Sequence, residues 1–173
     1  MPTIPPSPAD IAAMRLALAQ AERAASAGEI PVGAIVLGPA GELLGSGHNA
    51  RESAPDPTGH AEVLAIRAAA EALGDRMLTD CTLVVTLEPC VMCAGVILAA
   101  RIPRVVFGAW DEKAGAVGSV YDLLRDGRLP SAVPEVVAGV CAAESIALLR
   151  SFFTARRPDG SGPAGATARP SHP

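Results

Sequence analysis

Two short motifs concentrate the residue types that can bind a metal and move protons. The first is His60-Ala61-Glu62, and the second is Pro89-Cys90-Val91-Met92-Cys93. Together they offer one imidazole and two thiols, a normal ligand set for zinc. A spacing of i, i+3 puts Cys90 and Cys93 on adjoining faces of a helix, where they can grip one ion. In the first turn of that helix, the dipole favours the thiolate form that a metal needs. His60 and Glu62 are harder to bring together, because residues two apart on a helix are rotated by about 200°. They reach one site only if a helix starts there and points its end at the metal. The Asp56-Pro57-Thr58-Gly59 lead-in supports such a start. Three protein ligands and a spare carboxylate leave a position for water, which is the catalytic arrangement; a purely structural site wants a fourth Cys or His. On this reading His60, Cys90 and Cys93 hold one Zn2+ per subunit and Glu62 carries protons. A lone C-x-x-C also fits a redox pair, and simple burial is the plainest fate of a thiol.

The flanking sequence supplies elements able to place these motifs. Ser7-Pro8 is an N-cap followed by proline at the first helical position. Ile11, Met14, Leu18, Ala21 and Ala25 then recur at helical spacing until Gly28. Two strands, 32–37 and 42–47, flank Gly38-Pro39-Ala40-Gly41, a hairpin signature. A loop rich in Asn, Pro and Asp (49–59) leads into a helix over 60–73, closed by Gly74. A β-branched strand over 82–86, a helix over 90–100 and a strand over 104–108 follow. The pattern then predicts a short helix over 120–125, a strand over 135–140 and a final helix over 142–157. Strands alternating with helices predict a layered α/β domain, with a largely parallel sheet and an antiparallel hairpin at one end. Active sites in such sheets gather at the carboxyl ends of strands, which is where both motifs fall.

Composition bounds the class. The chain has 173 residues, enough for one domain with an ample core. Half the residues are apolar and 18% are charged, which excludes a disordered chain. With one Trp, one Tyr and three Phe, the core must be built from Ala, Val, Leu and Ile. No apolar run reaches the roughly 18 residues needed to span a bilayer, and the first ten residues lack the pattern of a secretory signal. The expectation is a cytoplasmic protein whose four cysteines form no disulfide framework. Cys81 and Cys141 read as buried rather than reactive. The net charge of −4 gives no global sign of nucleic-acid binding. The end of the chain differs: Arg150, Arg156, Arg157 and Arg169 face a single acid, Asp159. Residues 1–7 and 158–173 are rich in Pro, Gly, Ser and Ala, and are expected to be disordered around a folded domain over 8–157.

The order H-x-E, then P-C-x-x-C, is the signature of zinc deaminases. The chemistry would be attack of water on an amidine carbon, C6 of adenine or C4 of cytosine, with loss of ammonia. Longer stretches resemble one family within that class, the bacterial tRNA-specific adenosine deaminases. They are Gly28-Glu-Ile-Pro-Val-Gly-Ala34, Asp56-Pro-Thr-Gly-His-Ala-Glu62, Val85-Thr-Leu-Glu-Pro-Cys-Val-Met-Cys-Ala-Gly95, Arg104-Val-Val-Phe-Gly-Ala109, Gly115-Ala-Val-Gly-Ser119 and Ser151-Phe-Phe-Thr-Ala-Arg-Arg157. The resemblance covers about residues 9–157.

The resemblance implies a cytidine-deaminase-like α/β/α sandwich with a five-stranded mixed sheet. It implies conversion of adenosine to inosine at the wobble position of a tRNA anticodon, by a homodimer that holds the anticodon stem-loop. His60, Cys90 and Cys93 match the zinc ligands and Glu62 the proton shuttle. Asn49 matches an asparagine that contacts the flipped adenosine, though by itself it also reads as a turn residue. Asp111 matches an aspartate near the substrate sugar, and otherwise reads as a helix N-cap. Trp110 departs from the pattern: it stands where similar enzymes often carry arginine, and exchanges a phosphate contact for an indole able to stack on a base. His48 replaces a residue that is commonly aromatic. Arg156 and Arg157 are candidate phosphate contacts or simply solvated charges, and Glu88 reads as a support for the site. The nearest competing chemistry is deamination of a free base or nucleoside such as guanine or cytosine. A zinc-stabilised binding module without catalysis would require a fourth protein ligand.

Overall fold

A computed structural model describes residues 4–129 and 132–156. Four helices and five strands follow in the order α1 (Pro8–Ser26), β1 (Gly33–Leu37), β2 (Leu43–His48), α2 (Ala61–Leu73), β3 (Thr82–Leu87), α3 (Val91–Ala99), β4 (Arg104–Ala109), β5 (Glu135–Val137) and α4 (Ala142–Ala155). α1 starts as its sequence dictates. The Ser7 hydroxyl accepts the Asp10 N–H, the Asp10 carboxylate accepts the Ser7 N–H, and Pro8 fills a position with no N–H to lose. Gly74 ends α2 in the left-handed conformation, at φ 65°.

The strands form one sheet in the order β2-β1-β3-β4-β5. β1 pairs antiparallel with both β2 and β3, while β3–β4 and β4–β5 are parallel. The sheet is therefore mixed, and the antiparallel part reaches one strand beyond the hairpin. Period-two alternation divides its side chains. Ala34, Val36, Leu83, Val85, Val105 and Phe107 face one way, with Ala61, Ala65, Ala94 and Ile97 of α2 and α3. Ile35, Val84, Val106 and Val137 face the other way, against Met14, Ala17 and Leu18 of α1. α4 packs against α1, β3 and β4 on that second face, completing three layers. Small residues let α2 lie directly on β2. A Cβ at Gly45 would stand 2.3 Å from the Ala65 carbonyl oxygen, and one at Gly47 2.5 Å from that of Ala61. This close seat fixes the height at which α2 begins, and so where His60 stands.

Two local expectations fail. No helix forms over 120–125. Val117 bridges Asp122 instead, Gly118 N–H donates to the Tyr121 carbonyl and Leu123 N–H to that of Ala116. The sequence there offers one short apolar turn behind Ser119, but the hydroxyl of that N-cap candidate and the N–H groups of Val117 and Ser119 are taken by the Glu88 carboxylate. A nucleus that short does not hold against such competition. The last strand ends at Val137 rather than at residue 140, because Gly139 turns the chain at φ 81°. α4 ends at Ala155, so Arg157 and the expected 158–173 tail lie outside the described residues.

Candidate active site

The metal-ligand candidates meet at two helix starts. His60 is the N-cap of α2, with extended backbone (φ −80°, ψ 148°). Cys90 is the N-cap of α3, and Cys93 lies in its first turn. The extended conformation at His60 removes the problem of two residues facing opposite sides of a helix. His60 stands before the spiral begins, and Glu62 is already inside it. The Nδ1 atom of His60 is 3.7 Å from the Cys90 sulfur and 3.4 Å from that of Cys93. All three ligand atoms lie within 4.8 Å of one another. A tetrahedral ion with Zn–S near 2.3 Å and Zn–N near 2.0–2.1 Å places sulfur and nitrogen about 3.5 Å apart. The observed separations match, so the donor set fits zinc in both chemistry and spacing. No fourth His, Cys or carboxylate joins the cluster among the described residues.

The protonation of these groups is that of a site built for a cation. A hydrogen bond from the Cys93 thiol, together with the His60 ring, brings Cys90 down to about 3. Cys93 is pushed up, by sharing that proton with Cys90 and by burial. His60 is raised by its bond to Cys90. The two sulfurs thus share a proton, which an arriving metal displaces. Glu62 is buried beside them, and burial raises its carboxyl above the ordinary range. A buried carboxyl whose proton affinity is raised in this way is suited to taking and returning protons.

A cavity of about 480 Å3 opens in front of this floor and is lined by His60, Glu62 and Cys90 below and by Asn49, Glu88 and Asp111 above. The Asn49 side-chain oxygen accepts the Ala61 N–H at 3.1 Å, capping α2 where His60 does not. Its amide nitrogen is left as a donor at the cavity. Glu88 does more than support: its carboxylate accepts the N–H groups of Asp111, Val117 and Ser119, each at 3.0 Å, and the Ser119 hydroxyl. Asp111 acts as the cap its alternative reading proposed, although for a turn rather than a helix. Its Oδ1 accepts the N–H groups of Lys113 and Ala114. Arg156 reaches the rim from the end of α4, where it donates to the Gly28 carbonyl and lies over the Phe152 ring.

Other expectations fall away from this cavity. Trp110 lines a neighbouring one of about 310 Å3, against α4. His48 closes β2 opposite Gly33 and does not line the site. Cys81 is buried and Cys141 half-buried, both free, with burial pushing each thiol up. One residue went unassigned from sequence although its motif was visible. Glu29, in the Gly28–Ala34 stretch, is buried at the rim and accepts the N–H groups of Glu52 and Ser53 at 3.0 and 2.7 Å. Burial works against its charge, yet those N–H groups hold its carboxyl below the ordinary value.

A histidine and two cysteines spaced to bind a metal, with a buried carboxyl outside the ligand set, on a three-layer α/β/α scaffold, define a class of hydrolytic metalloenzyme. Residues 7–109 match the cytidine and deoxycytidylate deaminase zinc-binding region. The chain belongs to this family. It is 46% identical over 144 residues to a tRNA-specific adenosine deaminase of Haemophilus influenzae, covering 83% of this chain and 83% of that one. It is 51% identical over 148 residues to a tRNA(Ile)-lysidine synthase of Deinococcus deserti; that match covers 84% of this chain but spans only 27% of the relative's length. Its fold is similar, with a TM-score of 0.76 and 40% identity, to a structure from a study of A-to-I editing by tRNA:A34 deaminases at the wobble position of transfer RNA. That similarity covers 80% of this chain and 99% of that one.

Proposed function

We propose that the protein hydrolyses adenosine to inosine at the wobble position of a tRNA anticodon. One observation carries the chemistry: three metal ligands converge at two helix starts, while the buried carboxyl of Glu62 stands two residues from His60 and outside the ligand set. When bound, zinc supplies Lewis-acid activation of water near neutral pH. Glu62 takes a proton from the attacking water and gives it to the ring nitrogen of the base. It then carries the second proton to the departing ammonia, so that adenosine and water leave as inosine and ammonia. The Asn49 amide nitrogen donates to an acceptor on the flipped base, held in register because its oxygen is tied to α2. Arg156, at the cavity rim, takes a phosphate.

The choice of tRNA rests on the adenosine deaminase relatives and on the arginines at the end of the chain. A homodimer fits the exterior of α3, which carries no charged residue, exposes Val91 and leaves open space at Gly95. A tRNA substrate puts the reaction in the cytoplasm. No helix among the described residues is long and apolar enough to cross a membrane.

Incubation of zinc-loaded protein with unmodified tRNA carrying an adenosine-first anticodon tests the reading. The expected product is inosine at that position, detected after nuclease digestion. Ammonia released from guanine or cytosine, with no inosine from tRNA, would transfer the assignment to a free-base deaminase.

A further inference from the structure

The segment between Asn49 and His60 is closed at its neck and held at its tip by a single side chain. At the neck, the Asn49 N–H donates to the Val32 carbonyl and the Ala50 N–H to that of Gly59. A Cβ at Gly59 would stand 2.9 Å from the Ala50 carbonyl oxygen, so the two arms lie against each other. The tip, Arg51-Glu-Ser-Ala-Pro-Asp-Pro-Thr58, is held differently. It carries no large apolar side chain, and residues 51–55 are all exposed, so packing does not fasten it. Most of its hydrogen bonds stay inside the loop: the Asp56 N–H donates to the Arg51 carbonyl, and Thr58 donates to the Asp56 carboxylate. Among the described residues, the hydrogen bonds that tie the tip to the rest of the fold run to one atom. Oε1 of Glu29 accepts the N–H groups of Glu52 at 3.0 Å and Ser53 at 2.7 Å.

Glu29 is itself firmly seated. It stands in the turn between α1 and β1, where its own N–H donates to the Ala24 carbonyl and Gly28 takes the left-handed conformation at φ 78°. The Gly28 carbonyl in turn accepts the Arg156 guanidinium from the end of α4. The anchor is thus joined to two helices before it reaches the loop. Burial opposes its charge, but the N–H groups it accepts outweigh burial and keep it ionised. Hydrogen bonds to an ionised acceptor are roughly twice as strong as neutral ones. The tip belongs to the catalytic cavity. Arg51 and Glu52 line it together with Glu29, and so do Asn49 and His60 at the two ends of the segment. Arg51 forms no ion pair among the described residues, which leaves its guanidinium open to an anionic strand at the cavity mouth. A lifted tip would carry Arg51 away. Asn49 and His60 would stay, because the neck bonds and the bond from the Ala61 N–H to the Asn49 side chain do not involve Glu29.

We propose that Glu29 is a positioning residue: by holding the loop tip at Glu52 and Ser53, it keeps Arg51 at the mouth of the catalytic cavity, where the guanidinium meets the anionic substrate strand. Glu29 moves no proton and touches no substrate. This role rests on the RNA reading above and adds to it the device that keeps the cavity mouth in shape. One loop then divides two tasks. Its neck serves the reaction through Asn49 and His60, and its tip serves affinity through Arg51.

Two measurements separate the loop from the chemistry. In zinc-loaded Glu29→Ala protein, amide exchange followed by NMR should speed up roughly 10- to 150-fold at Glu52 and Ser53, the worth of a hydrogen bond to a charged group. It should stay unchanged at Asn49 and Ala50. With an anticodon stem-loop carrying adenosine at the first anticodon position, KM should rise by up to a similar factor, because only the docked fraction of tips binds fully. Turnover at saturation and zinc content should hold. Glu29→Gln keeps an oxygen for both N–H groups and should recover most of the loss in both measurements. Arg51→Ala, a change at an exposed side chain, should raise KM in the wild-type background and add little to Glu29→Ala. Unchanged exchange at Glu52 and Ser53 would overturn the anchor. An unshifted KM in Glu29→Ala or in Arg51→Ala, with the wild-type protein forming inosine, would overturn the positioning role and leave the proposed reaction standing. A loss confined to kcat would overturn it too, by placing Glu29 in the chemistry. No inosine from the wild-type protein would remove the RNA reading and this role together.

Discussion

Three buried glutamates line one cavity, and they meet different surroundings. Glu62 on the floor and Glu29 on the rim are both closed off from solvent, but Glu62 lies deep among protein atoms and Glu29 close beneath the surface. Burial raises Glu62, whereas Glu29 is held below its ordinary value by the N–H groups of Glu52 and Ser53. Glu88, on the opposite rim, spends its carboxylate on three backbone N–H groups and a hydroxyl of the 111–119 loop. Low exposure alone therefore does not set a carboxylate's proton affinity. Its depth among protein atoms and the N–H groups it accepts decide that together. Glu62, the deepest, accepts from its own backbone N–H and from the Cys93 thiol and is still raised, while Glu29 and Glu88 fasten loops.

That contrast predicts a double dissociation. Glu62→Gln should reduce turnover by roughly 10³-fold or more, within or above the usual range of general acid–base catalysis. It should keep zinc at one per chain by metal analysis, and its Tm should be unchanged or higher, since a buried ionisable group is removed. Glu88→Gln should do the reverse. It should cost about 2–4 kcal/mol, the scale of one or two hydrogen bonds to a charged group, read as a Tm lower by roughly 5–15 °C. Zinc content should hold, and turnover of the protein still folded should fall far less than for Glu62→Gln. A Glu88 variant that melts normally but is inactive would erase the distinction between rim and floor.

The smallest expected effect lies at the other end of β4, away from the cavity. There Arg104 bonds Asp10 at 2.7 Å and Glu135 at 2.7 Å, tying the start of α1 to the sheet. The Arg104 guanidinium holds the Asp10 carboxyl down to about 2. A carboxyl depressed in the folded state stabilises above its unfolded pKa, and that contribution fades as pH falls from about 4 to about 2. Asp10→Asn should therefore cost roughly 2 kcal/mol at pH 7. It should flatten the acid limb of a pH–stability curve measured by urea unfolding, without changing turnover. An activity loss there would mean that the scaffold and the site are coupled through β4.

The site was legible to different depths. His60, Cys90, Cys93 and Glu62 were readable because metal chemistry admits few residue types and few spacings. Helix starts were readable from caps and glycines: Ser7-Pro8, the Asp56–Gly59 lead-in and Gly74 all do what their chemistry requires. The helix expected over 120–125 misled, because a local apolar pattern says nothing of a carboxylate arriving from Glu88, some thirty residues earlier in the chain. Glu29 sat in a visible motif but gave no sign of its role, since its partners at 52 and 53 are joined to it only by the folded sheet. Asn49 was placed by resemblance, and the structure supplied the reason for its orientation.

The sequence by itself pointed to the candidate ligand set, to Glu62 as the candidate proton carrier and to the strand–helix alternation that positions them, because ligand chemistry and periodicity are local properties of residue types. Only the tertiary structure decided that Glu62 lies deep beside the ligand set while Glu29 and Glu88 fasten loops. It alone set Trp110 in a second groove beside the first. Both outcomes depend on which backbone N–H groups and which helix face meet a side chain across the fold, and no local pattern encodes those meetings.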